Sequence, residues 1–182
     1  MLFRSNNISY KPPTQVGLPQ VEWAEFKISA EGHKVALSRT EGIAEWPVPQ
    51  TRQGLMKLTG WVQWAAQGVR HIAALLHPFY AAINDPHPPD LSGAMVKLKE
   101  ALSKEEEWLA HPRLGEPFTI YTDASGVAIG ASIFQADKPV AHLSHALTRC
   151  QRAWPVRDRE MWAVIWTLQH CPWLRGSPLR WW

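Results

Sequence analysis

Hydrophobic and polar residues follow one spacing in the first part of the chain and another in the last part. Between residues 52 and 109 the apolar positions recur every three or four residues, which predicts helices over 52–67, 68–83 and 91–109. After residue 111 apolar and polar positions alternate, as they do in a half-buried strand. The pattern therefore predicts a helical segment followed by a sheet.

Three short strands are predicted in that sheet, within the stretches PFTIYTD, VAIGASIF and KPVAHLSHAL. The links between them are too short for a helical crossover, so we expect an antiparallel meander. A helix over 154–170 follows, with Pro155 in its first turn, and SPLRWW has the composition of the start of a fourth strand. The predicted fold class is therefore α/β (α+β), ending in an incomplete α/β domain.

The segment before the helices gives weaker signals. Residues 1–20 are polar and contain several prolines, which favours an irregular lead-in. Residues 21–38 contain two apolar runs on either side of Gly32, which predicts a hairpin. Thr51 directly precedes the first predicted helix and is a favourable N-cap residue.

The composition narrows the class of protein. A net charge of +3 and a pI near 9.0 over 182 residues fit a polyanionic partner, without the dense basic stripes of a dedicated DNA-binding module. Cys150 and Cys171 have no ligand or redox spacing, so we expect reduced thiols. The sequence lacks an apolar run of about 20 residues, and its N-terminus lacks the apolar region of a signal peptide. We expect an intracellular chain, in the cytoplasm or nucleus, without a membrane partner; the pattern does not predict an oligomeric state.

Two acidic residues lie in apolar or small-residue surroundings. Asp123 follows an apolar strand, and Glu160 shares a helical stripe with Val156, Ala163, Val164 and Thr167. If this helix crosses the meander, the two carboxylates approach each other and require a cation between them, for which Mg²⁺ is suited. In the alternative interpretation, Asp123 caps the turn at 124–126 and Glu160 pairs with an arginine at the edge of the helix.

Other polar and aromatic residues are interpreted as surface or packing groups. Residues 157–159, an Arg-Asp-Arg run, resemble ordinary surface charges. His142 and His145 are separated by an odd interval on one strand, so their side chains are expected on opposite faces. Eleven tryptophans could stack on bases, but Trp162, Trp166 and Trp61 have the spacing of packing residues.

A family resemblance is carried by several stretches in one uninterrupted order over residues 20–182. YTDAS, AIGASIFQ, KPVAHLSHALT and REMWAVIWTL resemble the start of the ribonuclease H domain in Pol polyproteins of gypsy-type long-terminal-repeat retrotransposons and retroviruses. Upstream, EWAEFKISAEG, IAEWPVPQTRQGLMKLTGWVQW, VRHIAALLHPFY and MVKLKEALS resemble the end of the palm and the thumb and connection of reverse transcriptase. The resemblance implies three segments: a lead-in at 1–20, a palm-end, thumb and connection segment at 21–110, and a ribonuclease H-like domain at 111–182, truncated at its C-terminus.

The same resemblance implies the chemistry. It assigns Asp123 and Glu160 as catalytic residues and as ligands of two Mg²⁺ (or Mn²⁺) ions, which activate water against the RNA strand of an RNA/DNA hybrid. It gives Ser125 no catalytic role. The family's two further carboxylates come after the position at which this chain ends, and the paired aspartates of the polymerase motif have no counterpart in it.

Three hypotheses for the function follow. The leading one is a fragment of a retroelement Pol protein that is inactive as a nuclease by itself. The alternatives are a non-catalytic nucleic-acid-binding or scaffold protein derived from a retroelement, and a translated remnant without a stable fold.

Overall fold

The computed structural model describes residues 18–23, 26–35, 43, 45–66, 69–103 and 108–182. Its elements are eight strands and five α-helices. The strands are β1 (Gln20–Trp23), β2 (Phe26–Ser29), β3 (Gly32–Val35), β4 (Leu109–Ala110), β5 (Phe118–Ala124), β6 (Ala128–Gln135), β7 (Lys138–Ala146) and β8 (Leu179–Trp181). The helices are α1 (Arg52–Ala65), α2 (Ile72–Ile83), α3 (Ser92–Ser103), α4 (Arg149–Arg152) and α5 (Val156–His170). The mixed fold class predicted from the sequence is confirmed.

The first sheet has the strand order β1-β2-β3-β4, and its paired strands are antiparallel. The hairpin predicted around Gly32 is formed by β2 and β3. Gly32 is required there, because a Cβ at this position would lie 2.3 Å from the backbone oxygen of Leu109. Strands β1 and β4 were not predicted, and the lead-in predicted at 1–20 lies mostly outside the described residues.

The three predicted helices are confirmed as α1, α2 and α3, but the prediction that the third extends to residue 109 is wrong, because Leu109 lies in β4, paired with β3. The N-cap prediction for Thr51 is also confirmed, because its hydroxyl oxygen accepts a hydrogen bond of 3.1 Å from the Gly54 N–H. These helices share one apolar core, in which Leu58, Phe79 and Leu98 are fully buried. The helical segment therefore has a hydrophobic core of its own. Burying each such side chain contributes roughly 1.5–3 kcal/mol to its stability.

The second sheet has the order β7-β6-β5-β8. Strands β5, β6 and β7 form the predicted antiparallel meander, and β8 is the predicted fourth strand, paired in parallel with β5. Phe118, Ile120 and Ile133 are completely buried in the core beneath this sheet, as their alternation with polar residues requires. The expected division of the chain at residue 110 remains a prediction.

Helices lie against both faces of the second sheet. On one face, His145 of β7 stacks on Trp166 of α5. On the other face, the Ala73 N–H of α2 donates a hydrogen bond of 3.0 Å to the Ser144 hydroxyl of the same strand. Side chains at successive strand positions point to opposite faces, so α5 and α2 lie on opposite faces of the sheet. In the described part of the chain, no helix is long and apolar enough to cross a membrane.

Candidate functional site

Asp123 lies near the carboxyl end of β5, with its side chain exposed. Its Oδ1 accepts a hydrogen bond of 2.8 Å from the Ala124 N–H. Ala124 packs into the cluster formed by Ala163 and Trp166 of α5. Alternation along the strand therefore directs Asp123 to the face opposite α5.

The turn after Asp123 is held by Ser125. The Ser125 hydroxyl accepts hydrogen bonds from the N–H groups of Val127 (3.2 Å) and Ala128 (2.9 Å). The alternative in which Asp123 caps the turn at 124–126 is supported at its first residue, because Asp123 Oδ1 accepts the Ala124 N–H, whereas Ser125 accepts the N–H groups that follow the turn. The other carboxylate oxygen of Asp123, Oδ2, takes no part in the hydrogen bond to Ala124.

Glu160 lies in the N-terminal half of α5 and is exposed. The expectation that it lies on a buried, sheet-facing stripe is wrong at this position. Ala163 and Thr167 are buried on that stripe, but Val156, at its N-terminal end, is 54% exposed. The first turns of α5 therefore extend past the sheet, so the Glu160 carboxylate does not require a partner to offset burial. Within the described residues, Glu160 forms no ion pair with an arginine.

Arg159 joins the start of α5 to the turn after Asp123. Its Nη1 donates a hydrogen bond of 2.5 Å to the Ser125 backbone oxygen, and its Nε is buried. The interpretation of Arg159 as an ordinary surface charge is therefore wrong. The contact connects the residue before Glu160 to a residue two positions after Asp123, so it brings both predicted site residues to the same end of the domain.

A cavity of about 290 Å³ lies beside Asp123. Its lining includes Arg70 and His71, which precede α2, and Gly130 of β6, which is the cross-strand partner of Asp123. Glu160 does not line this cavity. Arg70 and His71 could not be predicted as lining residues from the sequence, because no spacing pattern connects them to a strand about fifty residues later.

The carboxylates of Asp123 and Glu160 are chemically suitable ligands for a hydrated Mg²⁺ ion. Both groups are exposed oxygen donors, and Mg²⁺ is commonly bound by one or two carboxylates together with water. The cavity beside Asp123 has space for several waters, whose share of liquid volume is about 30 Å³ each. In the part of the chain that the structure describes, no group of three or more His, Cys, Asp or Glu side chains is placed to hold a metal ion.

The histidines of β7 lie on opposite faces, as predicted. His142 is buried and its Nδ1 contacts the Ser132 hydroxyl at 2.9 Å. His145 stacks on Trp166 at 5.1 Å between ring centroids, and His170 stacks on Trp166 at 4.2 Å. Burial first, and the nearby His170 second, lower the pKa of His145 below its ordinary value. Trp166 is therefore a packing residue, as its spacing predicted.

Comparisons with known proteins bear on the fold and the family of the chain. A family model described as the RNase H-like domain found in reverse transcriptase matches residues 89–180, half of the 182 residues. The chain is 28% identical over 170 residues to the retrovirus-related Pol polyprotein from transposon opus of Drosophila melanogaster, covering 83% of this chain and 17% of that protein. It is 24% identical over 163 residues to the corresponding polyprotein from transposon gypsy of the same organism, covering 81% and 16%.

The fold has a counterpart among solved structures. The foamy viral protease-reverse transcriptase in complex with RNA/DNA hybrid superposes with a TM-score of 0.75 at 18% identity, covering 90% of this chain and 23% of that one. The chain spans about one sixth of the length of each of the two Drosophila polyproteins. Together with the meander, α5 and the order of its motifs, these matches show that the chain belongs to the RNase H-like domain family of reverse transcriptases, in a segment related to retroelement Pol polyproteins.

Proposed function

We propose that this chain contributes a ribonuclease H-like site to a retroelement Pol protein, with Asp123 and Glu160 as Mg²⁺ or Mn²⁺ ligands and the RNA strand of an RNA/DNA hybrid as substrate. The supporting observation is the Arg159–Ser125 bond, which brings two exposed carboxylates to one end of the domain. Neither carboxylate has an ion-pair partner among the described residues, so no salt bridge there competes with a metal ion for either group.

The residues of the chain position the ligands. The Ala124 N–H fixes one oxygen of Asp123, and the strand pairing of Asp123 with Gly130 fixes its backbone. Ser125 holds the turn, and Arg159 attaches α5 to that turn, so the start of the helix carries Glu160 toward the same end. A bound divalent ion would supply an activated water and charge neutralisation at the phosphate.

We further propose that this chain by itself binds hybrid and does not cleave it. Among the 182 residues of this chain, the family resemblance assigns only Asp123 and Glu160 as metal ligands. A two-metal site places two ions roughly 3.5–4 Å apart, and two carboxylates supply too few fixed ligands for that geometry. A metal-binding ribonuclease H-like site is the leading proposal. A purely nucleic-acid-binding role is the conclusion if Mg²⁺ does not change the affinity for hybrid.

Fluorescence anisotropy with a labelled RNA/DNA hybrid, with and without Mg²⁺, tests the proposal. We expect salt-dependent binding through phosphate contacts that Mg²⁺ strengthens, and we expect this strengthening to be lost in Asp123→Asn and in Glu160→Gln. Asp158→Asn is the matched control, because it removes a carboxylate from the first turn of the same helix. Absence of hybrid binding at low salt, or an equal Mg²⁺ effect in all three variants, would contradict the proposal.

A further inference from the structure

A groove of about 610 Å³ lies on the face of the second sheet opposite α5. Alternate residues of β5, β6 and β8 line it, so their side chains share one face. The residues between them, such as Ile120 and Trp181, pack on the other face in the core to which α5 contributes Leu168. The groove is therefore a surface of the sheet itself, separate from its core.

Tyr121 and Trp182 are direct neighbours in this groove. The Trp182 N–H donates a hydrogen bond of 3.0 Å to the Ile120 oxygen, and the Thr122 N–H donates one of 3.3 Å to the Trp182 oxygen. These two bonds lie on either side of Tyr121, as in a parallel strand pair. Because neighbouring strands are about 4.7–4.9 Å apart, the two side chains leave the sheet side by side.

Both aromatic side chains are open to solvent. Tyr121 is 48% exposed and Trp182 is 74% exposed. The Phe134 ring supports Tyr121, meeting it edge to face at 5.7 Å between ring centroids. An isolated exposed aromatic residue is common on protein surfaces, whereas adjacent ones on a single face mark an interaction surface.

The rest of the lining indicates the chemistry of the ligand. Arg180 is exposed and lies beside Thr119, which is its partner in β5, and Ser132 supplies a second hydroxyl group. Asp137, in the turn between β6 and β7, is acidic, but Arg180 and Arg70 outnumber it in the described lining. That lining contains no aliphatic side chain, which an apolar protein segment would require. Aromatic faces, hydroxyl groups and a guanidinium group instead match bases and phosphates.

We propose that this groove binds an unpaired segment of nucleic acid, with bases stacked on Tyr121 and Trp182 and a backbone phosphate bound by Arg180. The bases must be unpaired, because in a duplex their faces are covered by the neighbouring base pairs. Stacking accepts any base, since every base has a π-face. The guanidinium fork of Arg180 is suited to contact two phosphate oxygens, and the net charge of +3 favours a polyanion.

This inference goes beyond the proposed ribonuclease H-like site, because stacking requires neither a metal ion nor hydrolysis. The two sites are nevertheless adjacent. Tyr121 and Ser132 line both the groove and the cavity beside Asp123. A strand bound in the groove therefore extends toward the Asp123 carboxylate.

Fluorescence anisotropy of labelled single strands of about twelve nucleotides, without Mg²⁺, tests the aromatic contacts. Oligothymidine and oligouridine are compared, to distinguish DNA from RNA. Trp182→Leu and Tyr121→Leu are each expected to weaken binding about tenfold, whereas Trp182→Phe retains an aromatic face and should stay within about threefold of the wild type. Trp23→Leu is the matched control, because Trp23 is 71% exposed on β1 and does not line the groove.

The phosphate contact is tested by the salt dependence of the same affinity. Arg180→Gln should reduce the slope of log affinity against log salt by about 0.7, the value for one phosphate contact to a single strand. Arg175→Gln is the control, since Arg175 is exposed and does not line the groove. Circular dichroism melts identify any variant that has lost its fold.

The outcomes separate this inference from the proposed function. If neither single strand binds at low salt, or if Trp182→Leu and Tyr121→Leu bind as Trp23→Leu does, the groove is refuted. Equal weakening of single strands and of a blunt-ended hybrid would also refute it, because the hybrid offers no unpaired bases. Weakening confined to single strands and to the groove variants supports it. The Mg²⁺ dependence of hybrid binding, with Asp123→Asn, tests the proposed function independently.

Discussion

The link between Arg159 and Ser125 makes a specific prediction about stability. Arg159→Ala removes the hydrogen bond from Nη1 to the Ser125 oxygen. A bond that involves a charged group contributes about 1.5–3 kcal/mol, but Ser125 is exposed, so its carbonyl regains a water partner in the variant. The variant also removes the buried Nε, which has no hydrogen-bond partner among the described residues and opposes folding. We therefore expect a net loss of about 1 kcal/mol in the free energy of unfolding.

Urea denaturation followed by circular dichroism measures this loss. The expected change corresponds to about 2–4 °C in melting temperature for a domain of 150–250 residues. Arg157→Ala is the matched control: Arg157 is exposed on the same helix and has no ion pair or hydrogen bond among the described residues, so its removal should change the free energy by less than about 0.5 kcal/mol. Equal effects of the two substitutions would refute the idea that Arg159 attaches the helix to the turn.

Three further predictions concern the core, the histidines and the thiols. Ile133→Ala should lower the free energy of unfolding by about 3 kcal/mol, because Ile133 is fully buried in the core of the second sheet; a loss below about 1 kcal/mol in urea denaturation would contradict that packing. Burial first, and His170 second, lower the pKa of His145 in the folded chain below 6.5. The unfolded chain therefore binds the proton more readily than the folded chain does. The free energy of unfolding should fall as the pH drops below 6.5 toward the folded pKa. His145→Gln should reduce that part of the pH dependence in melts between pH 7.5 and pH 5, and an unchanged pH profile would refute it. Alkylation at pH 8 should modify exposed Cys150 and spare Cys171, whose pKa burial raises to about 11, until the protein unfolds; equal labelling rates in mass spectrometry would be inconsistent with the structure.

The regular elements could be predicted because their signals are local. The alternation in β5 to β7 follows directly from residues such as Phe118, Ile120 and Ile133, each buried on one face. The start of α1 is likewise local, since Thr51 bonds a residue three positions later. Strand β4 escaped prediction because two residues, Leu109 and Ala110, are too few to show a period.

The candidate site could be predicted only in part, because its surroundings depend on long-range packing. Helical spacing identified the stripe that carries Ala163 and Thr167, but it could not show that the sheet ends before Glu160. The same limit applies to Arg159, whose partner Ser125 is 34 positions earlier in the sequence. Arg70 and His71 reach the cavity because α2 packs on β7, and this contact has no sequence signature.

The most direct test of the central claim is a Mg²⁺ titration that follows the side-chain carboxyl carbon signals of Asp123 and Glu160 by NMR, with Asp123→Asn as the control. We predict saturable shifts at both carboxyl groups in the wild-type chain, and weakened shifts at Glu160 in the variant, since both side chains are proposed to bind the same ion. A well-dispersed spectrum in which neither carboxyl signal responds to Mg²⁺, or in which Glu160 responds equally in the variant, would contradict it.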